Sequence, residues 1–108
     1  MKVSVIIPTY KPQSYLWECL DSLVLQTLPH EDWELLLVLN GCKEPWYTKI
    51  RNYLADKMAD MNVTLVQTDT PGVSNARNVA LDRASGEYVT FIDDDDFISP
   101  NYLEEMLR

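Results

Sequence analysis

Cysteine, glycine and positive charge are all scarce in this chain, and each shortage removes a class of protein. Only Cys19 and Cys42 are present, too few for a disulfide scaffold or a cysteine-built zinc site, and their use fits a reducing compartment. Three glycines in 108 residues leave no G-x-G-x-x-G after the first strand pattern, where Pro8-Thr9-Tyr10-Lys11-Pro12 stands instead. That excludes a dinucleotide-binding oxidoreductase fingerprint. Nine Lys and Arg stand against seventeen Asp and Glu, a net charge of −8. Nucleic acid and anionic membrane need a basic surface, so neither is an expected partner. No apolar run approaches the roughly 20 residues that span a bilayer. The opening Met1–Pro8 is too short and too β-branched for a signal peptide. These features by themselves leave the location of the protein open.

What remains is an ordinary globular composition, 46% hydrophobic and 24% charged, with room for one compact domain. Strand and helix patterns alternate along it. Val3–Ile7 is a β-branched apolar run stopped by Pro8. Leu16, Cys19, Leu20, Leu23 and Val24 recur at helical spacing and predict a helix from about Ser14 to Leu25. Glu34–Leu39 is a second apolar run, ended by Asn40-Gly41. Trp46, Ile50, Tyr53, Leu54, Met58 and Met61 give a second helical stripe, with Pro45 at its first turn. Val63–Val66 reads as a third strand. Val73, Ala76, Ala80 and Ala84 mark a helix of small residues ending at Gly86, and Tyr88–Ile92 is the fourth strand. Ser99 and Pro100 read as cap and first residue of a last helix through Leu107. That helix is cut about two turns in and would be marginal alone, so the domain is expected to continue past Arg108. A chain cut there would expose a sheet edge and favour self-association.

Near-continuous apolar strands separated by helices indicate an α/β fold, a mostly parallel sheet with helices on both faces. In such sheets ligands bind beyond the carboxyl ends of the strands. Thr9, Tyr10, Asn40, Asp69 and Asp93 to Asp96 occupy those positions. The run Asp93-Asp94-Asp95-Asp96 is the most pointed of these. Neighbouring carboxylates about 4 Å apart repel by on the order of 4 kcal/mol per pair at an effective dielectric near 20. A fold that gathers them expects a cation, and a hard Mg²⁺ or Mn²⁺ is the oxygen-liganded choice. Alternation on extended chain would aim Asp93 and Asp95 to one face, leaving Asp94 and Asp96 to point elsewhere and Asp96 to cap the next turn.

Four segments together resemble glycosyltransferase family 2. Val3-Ser4-Val5-Ile6-Ile7-Pro8-Thr9-Tyr10 looks like its opening strand and Glu34–Gly41 like its second. Gly72-Val73-Ser74-Asn75-Ala76-Arg77-Asn78 looks like its helix start, and Gly86–Asp96 like its Asp-x-Asp strand. The resemblance covers the whole chain. It implies the Rossmann-like, nucleotide-diphospho-sugar-binding half of a GT-A fold, truncated at Arg108. Carried over, Thr9, Tyr10, Asn40, Arg77, Asp93 and Asp94 would bind the nucleotide sugar, and Asp95 with Asp93 the metal. Asn40 stands where the family usually has an aspartate for the base, and Lys11 where it commonly has asparagine. Arg77, one turn into its helix, would add a guanidinium to an anion-favouring N-terminus.

The implied activity is inverting, metal-dependent transfer of a sugar, foremost from a UDP-sugar, to the hydroxyl of a glycan or lipid-linked acceptor in polysaccharide biosynthesis. No residue up to Arg108 matches the family's general base, which is expected beyond it, so this stretch would hold the donor site without turning over. The rival is a non-catalytic nucleotide-binding or interaction remnant of the same fold. A Ca²⁺ loop starting at Asp93 fails because Ile98 stands where the glycine must turn.

Overall fold

The computed structural model describes residues 1–108. Four strands and four α-helices alternate: β1 (Val3–Thr9), α1 (Tyr15–Val24), β2 (Trp33–Asn40), α2 (Trp46–Lys57), β3 (Val63–Thr68), α3 (Val73–Leu81), β4 (Tyr88–Phe91) and α4 (Tyr102–Met106). The sheet is all parallel in the order β3-β2-β1-β4. After β3 the chain returns past the first two strands to the far side of β1. The winding direction therefore reverses between β1 and β4, which is where such sheets open a ligand crevice.

Alternation along β1 and β2 divides the core. Val3, Val5, Ile7, Leu35, Leu37 and Leu39 face α1, α2 and α4 in one cluster with Leu16, Leu20, Leu23, Ile50 and Leu103. Ile6, Leu36 and Val38 face the other way, onto Ala76 and Ala80 of α3 and Val66 of β3. Small residues on α3 let its backbone lie close to the sheet. Both faces of the two central strands are covered, as their unbroken apolar runs require.

The outer strands differ from expectation. Only Val66 of β3 and Thr90 of β4 are buried, while Tyr88, Val89 and Phe91 are exposed. Apolar character reads the same whether a strand lies at the centre or the edge of a sheet. Pro8 does not end β1, which runs to Thr9. The Ile92 N–H donates to the Ile6 carbonyl at 3.0 Å, so Ile6 and, two residues on, Pro8 turn their backbone toward β4. That strand has already ended at Phe91, and the missing proline N–H costs no ladder bond. α3 stops at Leu81 rather than near Gly86, and α4 starts at Tyr102 behind Asn101, so neither Ser99 nor Pro100 holds its expected cap position.

Two polar side chains, the buried Gln26 and the half-buried Glu34, fasten the fold. Gln26 donates to the carbonyls of Ser22 and Ser99 and accepts from the Leu103 N–H, anchoring the short α4 to α1. On the other face of the sheet, one Glu34 oxygen accepts from the Ser4 hydroxyl at 2.6 Å, the Ser85 N–H at 2.7 Å and the Ser85 hydroxyl at 2.8 Å. The Gly86 N–H in turn donates to Ser4 Oγ. This knot fixes where β4 enters the sheet beside β1.

Burial pushes the Glu34 carboxyl up, but the bonds from Ser4 and Ser85 together hold it below the usual value of 4.5. A depressed carboxylate stabilises the fold above its unfolded pKa, and that stability fades as pH falls through the lower folded value. Glu34→Gln is therefore expected to cost about 1 kcal/mol at pH 7, with the gap from the wild type narrowing on acidification below 4.5 in urea titrations. A Cβ on Gly86 would come 2.5 Å from the Ser4 nitrogen, so Gly86→Ala is expected to lower the thermal midpoint more than any other glycine-to-alanine change here.

Candidate functional site

A cleft of about 570 Å³ opens at the carboxyl ends of the strands, lined by Pro8, Thr9 and Tyr10 after β1, Asn40 after β2, Gly72 and Val73 at the start of α3, and Asp93, Asp94 and Asp95 after β4. Tyr15 and Pro71 complete its wall. Five of the six residues expected to meet a nucleotide sugar are thus in one place, together with both expected metal ligands.

The sixth, Arg77, is not in that lining. Its guanidinium carbon lies 5.0 Å from the centre of the Phe91 ring, two residues before the acidic run. Its Nε is buried without an acceptor, and no carboxylate pairs with it. Asp69 is also outside the cleft and accepts from the Gln67 amide at 2.9 Å.

The acidic run is a turn rather than extended chain. The Asp96 N–H donates to the Asp93 carbonyl at 3.1 Å. Carboxylate oxygens of Asp93, Asp95 and Asp96 all lie within 4.8 Å of one another. Asp96 therefore joins the group instead of capping the next segment, because the turn folds it back over Asp93. Three hard oxygen donors at that separation suit a divalent Mg²⁺ or Mn²⁺, which binds carboxylate oxygen at about 2.1 Å. They are exposed, so the ion would keep open positions for other ligands.

Asp94 points the other way, into the fold, and accepts from the Thr9 hydroxyl at 2.6 Å. Burial, aided by Asp95 and Asp93, raises its pKa despite that bond. Beneath the turn, the buried Cys19 thiol donates to the Asp93 carbonyl at 3.7 Å. Burial first, then the four aspartates, push Cys19 up to about 12, which keeps it a protonated donor.

Asn40 is the residue whose role sequence left most open. Its amide N–H donates to the Thr9 carbonyl at 2.9 Å, and its oxygen accepts from the Gly72 N–H at 3.3 Å. Gly72 has φ +111°, a backbone state that only glycine enters freely. Asn40 so fastens the start of α3 against β1, with one N–H and one lone pair left for the cleft. An aspartate there could not donate to Thr9.

The free N-terminus of α3 begins at the cleft wall, and its unpaired N–H groups and dipole favour an anion there. On the rim, Lys11 takes φ +44° and places its ammonium 5.3 Å from the Tyr10 ring centre. Among lining residues, Tyr15 and Val73 carry no signal in sequence, being indistinguishable from core positions of their helices. Asp96 could have been found by reading four consecutive aspartates as a turn. Asn40→Asp is expected to cost about 1–3 kcal/mol in urea unfolding by leaving the Thr9 carbonyl facing a carboxylate.

Comparison with known proteins agrees with this geometry. The model of the family described as Glycosyl transferase family 2 matches residues 4–108. The chain is 33% identical over 99% of its length to glycosyltransferase GlyA of Streptococcus pneumoniae, covering 15% of that protein. It is 36% identical to poly(ribitol-phosphate) beta-N-acetylglucosaminyltransferase TarS of Staphylococcus aureus, over 97% of this chain and 18% of that one. It thus spans under a fifth of these relatives. The structure of TarS 1–349 in complex with UDP superposes with a TM-score of 0.86 over 99% of this chain and 31% of that one, at 36% identity. A mannosyltransferase from Pyrobaculum calidifontis, in complex with GDP-Man and Mn²⁺, gives 0.80 at 32% identity over 87% of this chain and 27% of that one. The sheet described above is that of a GT-A fold, and the chain belongs to glycosyl transferase family 2.

Proposed function

We propose that residues 1–108 form the donor-binding part of a metal-dependent, inverting glycosyltransferase that uses a UDP-sugar. The observation that carries the reading is the convergence of the Asp93, Asp95 and Asp96 carboxylates beside a cleft that also offers Thr9, Tyr10, Asn40 and the α3 N-terminus. TarS has been solved with UDP-GlcNAc as well as UDP, and the mannosyltransferase complex contains Mn²⁺, which supports donor class and cation.

Asp95 and Asp93, with Asp96, would hold the ion. When bound, it supplies Lewis-acid stabilisation of charge on the departing nucleoside diphosphate. Tyr10 presents an aromatic face to the base, and the remaining polar groups of Asn40 offer it one donor and one acceptor. The α3 N-terminus would meet the diphosphate charge, and Arg77, with no carboxylate on it, would add a guanidinium to it. Asp94 acts through Thr9, holding the acidic turn against β1. The acceptor hydroxyl needs a general base, and none of the residues lining the cleft is spared from metal or fold for that task. The base is assigned to chain following Arg108 in the parent enzyme, along with the acceptor site for a glycan or lipid-linked sugar. A cytoplasmic setting belongs to the same proposal.

Calorimetry with UDP, with and without Mn²⁺, tests it. Wild type is expected to bind UDP at least tenfold more tightly with the ion, and Asp95→Ala to lose that difference. Arg77→Gln should weaken binding severalfold while keeping the metal dependence. Equal UDP binding by wild type and Asp95→Ala at every Mn²⁺ concentration would remove the metal role.

A further inference from the structure

A second depression, separate from the donor cleft, lies between α1 and α2. It holds about 140 Å³ and is lined by Pro12, Gln13, Ser14, Trp17, Trp46, Lys49 and Ile50. Ile50 and Pro12 are buried and form its floor, while Trp17 and Trp46 are half-buried walls. Trp17 is held in place by stacking on Tyr53, with ring centres 4.9 Å apart. By contrast, Trp33 is a core residue whose indole N–H donates to the Leu28 carbonyl.

The polar groups around this depression are unspent. No acceptor within the chain takes the indole N–H of Trp17 or Trp46, and the side chains of Gln13 and Ser14 make no hydrogen bond. Lys49 is exposed on its wall, and Lys11 sits 6.0 Å from the Trp46 ring centre. Just beyond, Lys43 and Arg51 both lie over Tyr47. None of these four cations forms an ion pair. The neighbouring Glu44 is turned to the Thr48 N–H and hydroxyl. Glu44 offsets part of the charge of Lys43 and Arg51, so in a chain of net charge −8 it is Lys11 and Lys49 at the rim that select an anionic occupant.

Aromatic walls accept the C–H faces of a sugar ring, free N–H, amide and hydroxyl groups match its hydroxyls, and ammonium groups at the rim match a phosphate or carboxylate. We infer that this depression is a binding site for an anionic saccharide unit, one phosphorylated or uronic-acid sugar ring. The inference does not rest on the donor cleft, since none of the seven lining residues is shared with it.

Titration with glucose 6-phosphate, followed through the three indole N–H resonances of ¹⁵N-labelled protein, tests the site. The Trp17 and Trp46 signals are expected to shift saturably and Trp33 to stay. Lys49→Gln, an exposed change that leaves the fold intact, should weaken binding at least fivefold, and neither glucose nor inorganic phosphate alone should match the sugar phosphate. Absence of saturable shifts would overturn the site. Inorganic phosphate binding equally well would reduce it to a bare anion contact and overturn the saccharide assignment. Complete, mutually exclusive displacement of glucose 6-phosphate by UDP with Mn²⁺, as opposed to a small loss of affinity, or its loss in Asp95→Ala, would return the signal to the donor cleft and overturn a separate site. Failure of UDP binding itself would leave these indole shifts unaffected, so the two readings fail independently.

Discussion

One directed chain of hydrogen bonds determines the shape of the cleft. The Gly72 N–H donates to Asn40, the Asn40 amide donates to the Thr9 carbonyl, and the Thr9 hydroxyl donates to Asp94. Each link joins a different element: the start of α3 to β2, β2 to β1, and β1 to the acidic turn. The two bonds of the conjugated Asn40 amide polarise one another, while the carbonyl and the hydroxyl of Thr9 are separated by saturated carbon and join the series through the rigidity of β1. The direction is forced from both ends. A backbone N–H can only donate, and Asp94, when ionised, can only accept.

This chain also explains how four adjacent aspartates are tolerated. Asp94 is drawn inward to Thr9, which removes one carboxylate from the cluster and fixes the turn that swings Asp93, Asp95 and Asp96 outward together. The three exposed groups keep water and counterions, which moderates their repulsion. A buried cluster of the same charge would have had to neutralise by protonation. Strength of fold and readiness for a cation therefore come from the same residue pair, Thr9 and Asp94, acting on opposite sides of the turn.

Much of this is legible in the sequence because the central strands are buried on both faces. Val3–Ile7 and Glu34–Leu39 read as strands from apolar continuity alone, and the helices between them from their spacing. The edges mislead for the same reason: Tyr88, Val89 and Phe91 are as apolar as the centre, and composition does not say which side of a strand has a neighbour. Pro8 reads as a stop because a proline removes a donor, and only the register shows that no acceptor awaits it there. At the site, side-chain type locates the carboxylates and Asn40, but not their partners. Hydrogen bonds between Asn40 and Gly72, or Thr9 and Asp94, span 32 and 85 residues, and no local pattern encodes such distances. Arg77 lies 5.0 Å from the Phe91 ring centre, a cation–π contact between α3 and β4 that helical spacing does not announce.

The distribution of charge divides the molecule by chemistry. Acid collects at the β4 end, where three carboxylates make a place for a cation, and free base collects along the start of α2 and the loop before α1. Tyr10 lies between them, lining the cleft on one side and meeting Lys11 on the other, while Lys11 also reaches Trp46. A side chain shared in this way couples the two surfaces only if its ammonium prefers one ring when the other is occupied. At 5.3 and 6.0 Å from the two rings, Lys11 is at the outer limit of cation–π attraction to both. Neither contact is strong enough to hold it against a phosphate. An anion entering from either side would therefore draw the same ammonium away from the other, making the two surfaces competitors for one charge. Any coupling through Lys11 is thus antagonistic in sign, and small, because Lys49 and the α3 N-terminus give each surface a positive group of its own.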